Sequence, residues 1–314
     1  MISVVVPTYN RPAHLQRLLL SLNQQCGLDC SFEVIVVDDG SEKQLTDLPS
    51  TSFSVRTLRN PKNVGRSVSR NEGARAAQYD LIVFVDDDMI LSSAFLRSHW
   101  LAHQANSGIV GIGNIITAGK SLNTPYARYY DRTGVHRLSE LKPAPYKYFV
   151  TGNCSMERAL LIRAGMFDEA FSVHYGGEDL DLGLRLARVG ASFRFVRDAI
   201  SYHHDLSDLI GIREKMREFG MRGLPLLVGK HPQLRRELGL QLAERWWSGL
   251  VLSAVPLQIA ERIVILGVPD VINYWLIRYL VVGSYLRAYR AVRTNSVGEK
   301  RSWVMALVRS LRLK

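Results

Sequence analysis

The sequence predicts an α/β fold in which a mostly parallel sheet is flanked by helices. Short, continuous apolar runs recur through the first two thirds of the chain, as expected for strands covered on both faces. Stretches with the 3.6-residue spacing of helices lie between these runs. Polar residues, many of them acidic, end the runs. Strands that alternate with helices in this way form parallel sheets, because each crossover returns the chain to the same edge.

The first strand and helix begin almost at the N-terminus. The run ISVVVP starts at Ile2 and is closed by Pro7, and leucines then recur at i, i+3, i+4 and i+7 from Leu15. This pattern predicts a strand, a loop and a helix. Because no basic segment followed by a long apolar stretch precedes the strand, we expect no secretory signal.

Four further stretches predict two more strands and two helices before the last strand. FEVIVVDDGS and YDLIVFVDDD each end an apolar run in acidic residues, and NVGRSVSRNEGARAA between them enters a helix. GEDLDLGLRLARVG predicts a helix with acids at its start and Gly190 at its end. SFRFVRDAISYHH is the last predicted strand and ends in His203 and His204.

Charge divides the chain into two predicted domains. The composition is ordinary for a globular protein, with 47% hydrophobic and 22% charged residues among 314. Residues 1–204 carry 22 Lys and Arg against 20 Asp and Glu, whereas residues 205–314 carry 18 against 9. A near-neutral α/β domain is therefore followed by a basic helical extension suited to phosphates of nucleic acid or of a membrane surface. Three cysteines without a C-x-x-C pair predict reduced thiols in the cytoplasm.

Three consecutive aspartates follow the strand in LIVFVDDDMI. Two unit charges about 4 Å apart repel by roughly 4 kcal/mol near a protein surface, so Asp86, Asp87 and Asp88 need compensation. One alternative is a solvated turn in which Asp88 caps a helix beginning near Ser92 or Ser93. The other is a divalent cation, because Mg²⁺ and Mn²⁺ prefer hard oxygen ligands. A cap requires one acid only, which favours the metal.

Six stretches over about residues 2–204 carry a family resemblance. In chain order they are VVVPTYNRP, VIVVDDGS, NVGRSVSRNEGA, FVDDDM, AGMFDEAF and GGEDLDLGLRLARVG. Together they closely resemble family 2 glycosyltransferases of the GT-A fold. The resemblance implies a nucleotide-sugar-binding catalytic domain over residues 1–204. It also implies transfer of a sugar from a nucleotide diphosphate donor with inversion at the anomeric carbon.

The resemblance implies a role for each matching residue at the donor site. The residues implied in nucleotide-sugar binding are Pro7, Thr8, Tyr9, Asp39, Arg70, Asp86 and Asp87. Asp39 would face the base and Arg70 would lie beside the nucleotide. The implied cofactor is Mn²⁺ or Mg²⁺, with Asp88 as a ligand, Asp86 near the ribose or the metal's water shell, and His203 completing the metal shell. For His203 and His204, an ordinary place at a strand end is an equal alternative.

The GGED motif is implied to hold the catalytic acids, with Asp179 as the base and Glu178 as its neighbour. An acceptor hydroxyl is nearly un-ionised at neutral pH, so a carboxylate within about 3 Å that takes its proton contributes about 10² to 10⁴ in rate. Adjacent acids repel, which raises the pKa of one of them and suits a base. The alternative is an acidic helix start without chemistry. Gly152 and Asn153 resemble an acceptor-side or sugar-contacting loop, and a simple turn is the alternative.

The basic extension is predicted to contact a membrane surface or a second subunit. Its uncharged run, residues 246–260, is shorter than the roughly 20 apolar residues that cross a bilayer. The final stretch, KRSWVMALVRSLRLK, has an apolar helical face with arginines away from its centre. Peripheral docking of residues 246–314 on the inner face of the cytoplasmic membrane, and packing of these helices against the catalytic domain or against a second subunit in a homo-oligomer, are equal alternatives. Nucleic acid is not a predicted partner, because no binding motif accompanies the charge.

The predicted function is that of an inverting, metal-dependent glycosyltransferase of polysaccharide biosynthesis. Its donor would be a nucleotide sugar, a UDP-sugar by default, and its acceptor a hydroxyl of a glycan or lipid-linked molecule. A single in-line displacement needs no covalent nucleophile. The alternatives are a metal-dependent nucleotidyl or phosphoryl transferase and a non-catalytic lipid- or partner-binding protein of the same fold. A dinucleotide site is disfavoured, because GIGNII has Ile116 where a third glycine belongs.

Overall fold

The chain forms two compact units. In the computed structural model the described residues are 1–119, 122–138, 142–245 and 247–311, with side chains described as far as Thr294, apart from that of His136. The first unit comprises Met1–Val173 and Glu178–Ser207. The second comprises His174–Gly177 and the chain from Asp208 onward.

An eight-stranded sheet forms the centre of the described part of the first unit. The strands are β1 (Ile2–Thr8), β2 (Phe32–Asp38), β3 (Ser54–Arg59), β4 (Leu81–Val85), β5 (Met89–Leu91), β6 (Ile109–Thr117), β7 (Asn153–Glu157) and β8 (Ser192–His203). Their order across the sheet is β3-β2-β1-β4-β7-β6-β8-β5. The first four run parallel and so do β6 and β8, whereas β7 is antiparallel to both of its neighbours and β5 to β8. This mixed, mostly parallel sheet flanked by helices confirms the predicted fold class.

Apolar side chains cover both faces of the sheet. Successive residues of a strand point to opposite faces, so Val5 and Phe84 lie in one core cluster while Val4 and Val83 lie in the other. This explains why the strand sequences are continuously apolar rather than alternating. The helices of the unit are α1 (Pro12–Leu22), α2 (Arg66–Ala76), α3 (Phe95–Ala105), α4 (Pro125–Thr133), α5 (Arg158–Arg163) and α6 (Glu178–Arg188).

The helix after the aspartate triplet does not begin where the capping alternative required. A short strand, β5, follows Asp88, and α3 then begins at Phe95 with Ala94 at its N-cap. Asp88 therefore caps no helix, and the alternative of a solvated capping turn near Ser92 or Ser93 is wrong.

The second unit is helical, as predicted for the chain after Asp205. Its helices are α7 (Leu209–Glu218), α8 (Leu224–Lys230), α9 (Leu234–Glu237), α10 (Leu240–Ala243), α11 (Ser248–Val251), α12 (Ala254–Leu266) and α13 (Asp270–Leu311). Leu224, Leu240 and Leu286 lie in its apolar core. Among the described residues, no helix combines the length and apolar content that crossing a membrane requires. The predicted amphipathic face after Lys300 lies outside the residues whose side chains are described.

Candidate active site

The loops after β1, β2 and β4 meet at one edge of the sheet. These three strands are neighbours and run parallel, so their carboxyl ends lie together. The Thr8 hydroxyl at the end of β1 donates a 2.7 Å hydrogen bond to Asp87 after β4. The Asp39 amide after β2 donates to the Thr8 carbonyl oxygen at 2.8 Å. Beside them, Pro7 pairs with Val37 in the sheet and Tyr9 is 41% exposed.

Asp88 is surrounded by positive or proton-donating groups. Its Oδ2 lies 3.0 Å from Nη1 of Arg11 and 3.4 Å from Nε2 of His203. Burial opposes ionisation of this carboxyl, but the hydrogen bond and charge of His203, together with Arg11, lower its pKa to about 2. The other oxygen, Oδ1, is buried without a hydrogen-bond partner among the described residues. Asp88 is thus an ionised carboxylate with one free coordinating oxygen.

Asp87 is buried and shares Arg11 with Asp88. Burial raises its pKa to about 6, although the Thr8 hydroxyl and the Arg11 charge oppose the shift. It links β1 to the triplet and braces the loop that carries Arg11. This placement gives Asp87 a structural role at the edge of the predicted nucleotide site.

Arg70, on α2, connects the aspartate triplet to the GGED motif. Its side chain is only 3% exposed; Nη2 donates to Asp86 at 2.8 Å, and Nη1 lies 3.8 Å from Glu178. Burial opposes its charge, but Asp86, Asp179 and Glu178 raise the pKa of Arg70 above its ordinary value. Nε and Nη1 have no hydrogen-bond partner among the described residues. A permanent cation with two free donors therefore lies between the two acidic motifs.

Asp179 and Glu178 start α6 in different environments. Glu178 is 4% exposed and its Oε1 lies 3.3 Å from Nη1 of Arg66 as well as near Arg70. Asp179 accepts a 2.8 Å hydrogen bond from the Thr151 hydroxyl. Burial and the charge of Glu178 raise the pKa of Asp179 to about 7, despite the opposing effects of Arg70 and Thr151. Near neutral pH, Asp179 can both release and accept a proton.

Asp39 organises the loop that leads into α2. Its Oδ1 accepts from the Asn60 side chain and the Val64 amide, each at 3.0 Å, and its Oδ2 accepts from the Gly65 amide at 2.8 Å. Gly65 has a φ of 90°, which favours glycine, and begins the helix that carries Arg70. Asp39 therefore shapes the loop between β3 and α2 from its position beside the end of β1.

Gly152 lies beside Asp86, whereas Asn153 is turned into the protein. A Cβ built on Gly152 would lie 3.0 Å from Oδ2 of Asp86, so a larger residue would crowd that carboxylate. Asn153 is 0% exposed, and its amide bonds to His99, the Ala199 carbonyl and Ser201. Its side chain is not placed to contact a sugar, contrary to the expectation from the sequence.

The buried Asn153 network holds together the two segments that contact Asp88 and Asp179. Thr151, the partner of Asp179, lies two residues before Asn153, and His203, the partner of Asp88, lies two residues after Ser201. Burial lowers the pKa of His99 in this network to about 3, so its imidazole is neutral. Gly113 makes room for the network, since a Cβ there would lie 1.8 Å from Asn153 Oδ1.

Sequence reasoning missed four contributors to the site. They are Arg11, Arg66, His99 and Thr151. A signal existed for Arg11, which ends the PTYNR stretch, and for Thr151, which directly precedes Gly152. None existed for His99, because its partners are distant in the sequence.

Comparisons with known proteins show the family of the chain. The family model described as glycosyl transferase family 2 matches residues 3–164, just over half of the chain. The chain belongs to glycosyl transferase family 2. Among curated relatives it is 29% identical over 260 residues to the uncharacterized glycosyltransferase YfnE of Bacillus subtilis, with 65% of this chain and 64% of that protein covered.

Other relatives of this family 2 chain are longer enzymes. It is 32% identical over 243 residues to the chondroitin synthase of Escherichia coli, which covers 65% of this chain and 34% of that protein. The chain thus spans less than two thirds of the length of these curated relatives.

Two solved structures share the fold at low sequence identity. The mannosyltransferase PcManGT from Pyrobaculum calidifontis, in complex with GDP-Man and Mn²⁺, has a TM-score of 0.56, is 16% identical, and covers 90% of this chain and 85% of its own. S. aureus TarS in complex with UDP-GlcNAc has a TM-score of 0.52, is 18% identical, and covers 94% and 92%. Both likenesses show the GT-A fold of this family 2 chain.

The residues at the aspartate triplet fit a divalent cation. Within the described part of the chain, no three His, Cys, Asp or Glu side chains form a ready metal cluster. However, Asp88 Oδ1 is buried and unpartnered, and the imidazole of His203 lies against the same carboxylate. A carboxylate oxygen and an imidazole nitrogen, with the remaining positions taken by water and phosphate oxygens, form a donor set that Mn²⁺ accepts and Mg²⁺ tolerates.

Proposed function

We propose that this family 2 chain is an inverting glycosyltransferase. It transfers a sugar from a nucleoside diphosphate sugar to a hydroxyl of a glycan or lipid-linked acceptor. The observation that carries the proposal is the position of Arg70, which bonds Asp86 at 2.8 Å and lies 3.8 Å from Glu178. The single buried side chain of Arg70 therefore contacts Asp86 of the predicted donor site and lies near Glu178, the neighbour of the predicted base.

Asp179 is the general base of the proposed reaction. A base works best when its pKa lies near the operating pH, because it is then largely ionised yet still binds a proton well. A pKa of about 7 meets that condition, whereas an ordinary aspartate would be too weak a base. The Thr151 hydroxyl holds one carboxylate oxygen and leaves the other for the acceptor hydroxyl. As the bond to the anomeric carbon forms, Asp179 takes the acceptor's proton.

The donor diphosphate is bound where positive groups face the strand ends. Arg70 offers two unpartnered buried donors, and Arg11 is half exposed beside the triplet. In the proposed site Asp88 and His203 hold Mn²⁺ or Mg²⁺, with Asp86 adjoining. When bound, the cation stabilises the negative charge on the departing nucleoside diphosphate. The complexes of PcManGT with GDP-Man and Mn²⁺ and of TarS with UDP-GlcNAc support a nucleotide sugar as donor.

Asp39 and the end of β1 would form the side of the pocket that faces the nucleobase. The loop that Asp39 organises and the exposed Tyr9 ring flank the end of β1. The aromatic face of Tyr9 can stack on a nucleobase, and the carboxylate of Asp39 can accept a hydrogen bond from a nucleobase N–H. Both are suited to a pyrimidine such as uracil. We propose a UDP-sugar as the first donor to test.

A panel of nucleotide sugars tests the proposal. Each donor is added with Mn²⁺ to wild-type protein and to Asp179→Asn, and both thermal stability and nucleoside diphosphate release are measured. Bound donor raises apparent stability by mass action. We expect one donor class to stabilise both proteins and to release nucleoside diphosphate only with wild type.

Two outcomes would contradict the proposal. Release of pyrophosphate or of a phosphorylated product would indicate a nucleotidyl or phosphoryl transferase instead. Equal release by wild type and Asp179→Asn would remove Asp179 from the reaction. Asp198→Asn, an exposed acid on β8, is the matched control and should behave as wild type.

A further inference from the structure

Apolar side chains are concentrated at the turn between α12 and α13. We name residues 265–275 the α12–α13 corner. Its strongly exposed members are Ile265 (70%), Leu266 (83%), Val271 (70%), Ile272 (50%) and Trp275 (59%). Single exposed apolar residues are normal on a protein surface. Five of them within residues 265–275 form a patch of the kind that marks an interaction site.

The corner is held in place by its own contacts. The Asn273 side chain is 4% exposed and donates to the Val268 carbonyl at 2.7 Å, and the Asn273 amide donates to the Pro269 carbonyl at 3.0 Å. Val264 before the corner and Ile277 after it are buried at 3% and 0% exposure. One side of each helix is thus packed, and the outward apolar side is a fixed surface.

Two arginines flank the corner, and two acids, Asp270 and the Arg213-paired Glu261, lie within and beside it. Arg262 precedes it and Arg278 follows it, both exposed, and Asp270 is the acid within it. The Arg278 guanidinium lies 5.5 Å from the centre of the Trp275 ring. Residues 205–314 as a whole carry 18 Lys and Arg against 9 Asp and Glu. Tryptophan and arginine around an apolar tip are typical of segments that lie at the boundary between lipid headgroups and acyl chains.

We infer that the α12–α13 corner docks on an anionic lipid bilayer. The apolar side chains enter the headgroup boundary while Arg262 and Arg278 meet lipid phosphates. A second copy of the chain fits less well, because a stable protein interface buries about 800 Å² per partner and its centre is depleted of charge. The turn at the centre of the corner is open, since a Cβ built on Gly267 would meet nothing within 4 Å.

This inference is independent of the proposed sugar transfer. A chain that transfers no sugar would still bind vesicles, and a chain that binds no vesicles could still be a transferase. Failure of one test therefore leaves the other intact.

Vesicle co-sedimentation of the full chain tests the inference. The probes are vesicles of mixed phosphatidylglycerol and phosphatidylcholine, and vesicles of phosphatidylcholine alone. We expect binding to the anionic vesicles that weakens with salt. The double variant Leu266→Ser with Trp275→Ser should bind at least about tenfold more weakly, because burying each side chain favours binding.

Two further variants complete the experiment. Leu101→Ser with Ile162→Ser removes exposed apolar side chains (46% and 54%) from the first unit and should bind as wild type. Arg262→Gln with Arg278→Gln should lose about fivefold per charge on anionic vesicles only. Thermal unfolding of each variant verifies that the fold is intact, which is expected because all six side chains are exposed.

Four results would overturn the inference. The first is a wild-type chain that does not sediment with anionic vesicles, and the second is a corner variant that binds like wild type. The third is equal binding to vesicles of phosphatidylcholine alone, which would show that binding does not require anionic lipid. The fourth is a wild-type chain that is dimeric without lipid and a corner variant that is monomeric, which would assign the corner to a second copy.

Discussion

Asp88 and Asp179 are the same residue type in one site, and their surroundings shift them in opposite directions. His203 and Arg11 supply positive or proton-donating neighbours to Asp88, which lowers its pKa to about 2. Asp179 is partly buried beside Glu178, and this burial and the charge of Glu178 raise its pKa to about 7. A carboxylate that is ionised at every working pH suits a cation, whereas one that titrates near neutrality suits proton transfer. This difference supports the separate roles that we propose for the two acids.

Arg70 lies between the aspartate triplet and the acids at the start of α6, and it affects the charge of both. It compensates Asp86 on the triplet side and partly offsets the repulsion between Glu178 and Asp179 on the other. Because it is buried and permanently charged, it separates the two acidic motifs without cancelling either. The comparison between Asp88 and Asp179 can be tested at each residue in turn.

The largest expected effect is that of Asp179→Asn on the rate. Removing the proposed general base should lower kcat/KM by about 10² to 10⁴, while donor affinity changes little because the proposed partner of Asp179 is the acceptor hydroxyl. Steady-state kinetics and donor titration measure the two quantities. A fall in donor affinity that matches the fall in rate would instead place Asp179 in donor binding.

Asp88→Asn should lower the affinity for Mn²⁺ by at least about 100-fold, because it removes the charged, unpartnered oxygen from the proposed metal site. Titration of activity with Mn²⁺, and calorimetric titration with donor present, report the change. Asp198→Asn is again the matched control. An unchanged Mn²⁺ dependence would exclude Asp88 as a ligand.

The pH dependence of kcat/KM should follow Asp179. Below a pKa of about 7 the carboxyl is protonated and cannot accept a proton, so the rate should fall about tenfold per pH unit on the acid side. Above that pKa the rate should level off. A profile that stays flat between pH about 5 and 7 would contradict a raised pKa at the base.

Stability should respond to the two asparagine variants with opposite signs at about pH 8. A lowered pKa stabilises the fold above about pH 3.8 and loses that effect as pH falls through about 2, so Asp88→Asn should destabilise. A raised pKa stabilises only at low pH and loses that effect as pH rises through about 7, so Asp179→Asn should stabilise.

The change in the free energy of unfolding, measured without metal, should be about 2 kcal/mol for Asp88→Asn and at most about 4 kcal/mol for Asp179→Asn, since one pKa unit corresponds to about 1.4 kcal/mol. Equal signs for the two variants would mean that the environments of Asp88 and Asp179 do not differ as described.

The last expected effect, that of Asn153→Ala, is on stability alone. It leaves His99, the Ala199 carbonyl and Ser201 without their amide partner in the interior, at a cost of about 1 to 3 kcal/mol in the free energy of unfolding. Chemical denaturation measures this, with the exposed Asn106→Ala as control. A cost below that of Asn106→Ala would show that the network does not support β7 and β8.

The half of the sheet that could be predicted from sequence is the aliphatic half. β1, β2 and β4 are continuous apolar runs, and β8 has enough aromatic and aliphatic residues to stand out. β6 and β7 could not be predicted, because they contain Gly113, Asn153 and other small or polar residues whose pattern is typical of a turn. Their burial depends on hydrogen bonds to distant residues, which no local pattern reveals.

The acidic residues of the candidate site could be predicted from the sequence, but their partners Arg11 and Thr151 could not. The acidic residues follow apolar strands or begin a helix, so local patterns expose them. His203 was implied by the family resemblance, whereas the contacts of Arg11 and Thr151 depend on how the chain folds, with β7 beside β4 in the sheet. Which acid titrates high could not be foreseen, because burial sets it.

A crystal structure with Mn²⁺ and the nucleotide sugar that the panel selects tests the central claim most directly. We predict the cation on Asp88 and His203, the diphosphate against the free donors of Arg70, and Asp179 unligated and facing the anomeric carbon. A cation bound by Asp179 or Glu178, or a nucleotide bound away from the ends of β1 and β4, would contradict the separate roles of the two acids.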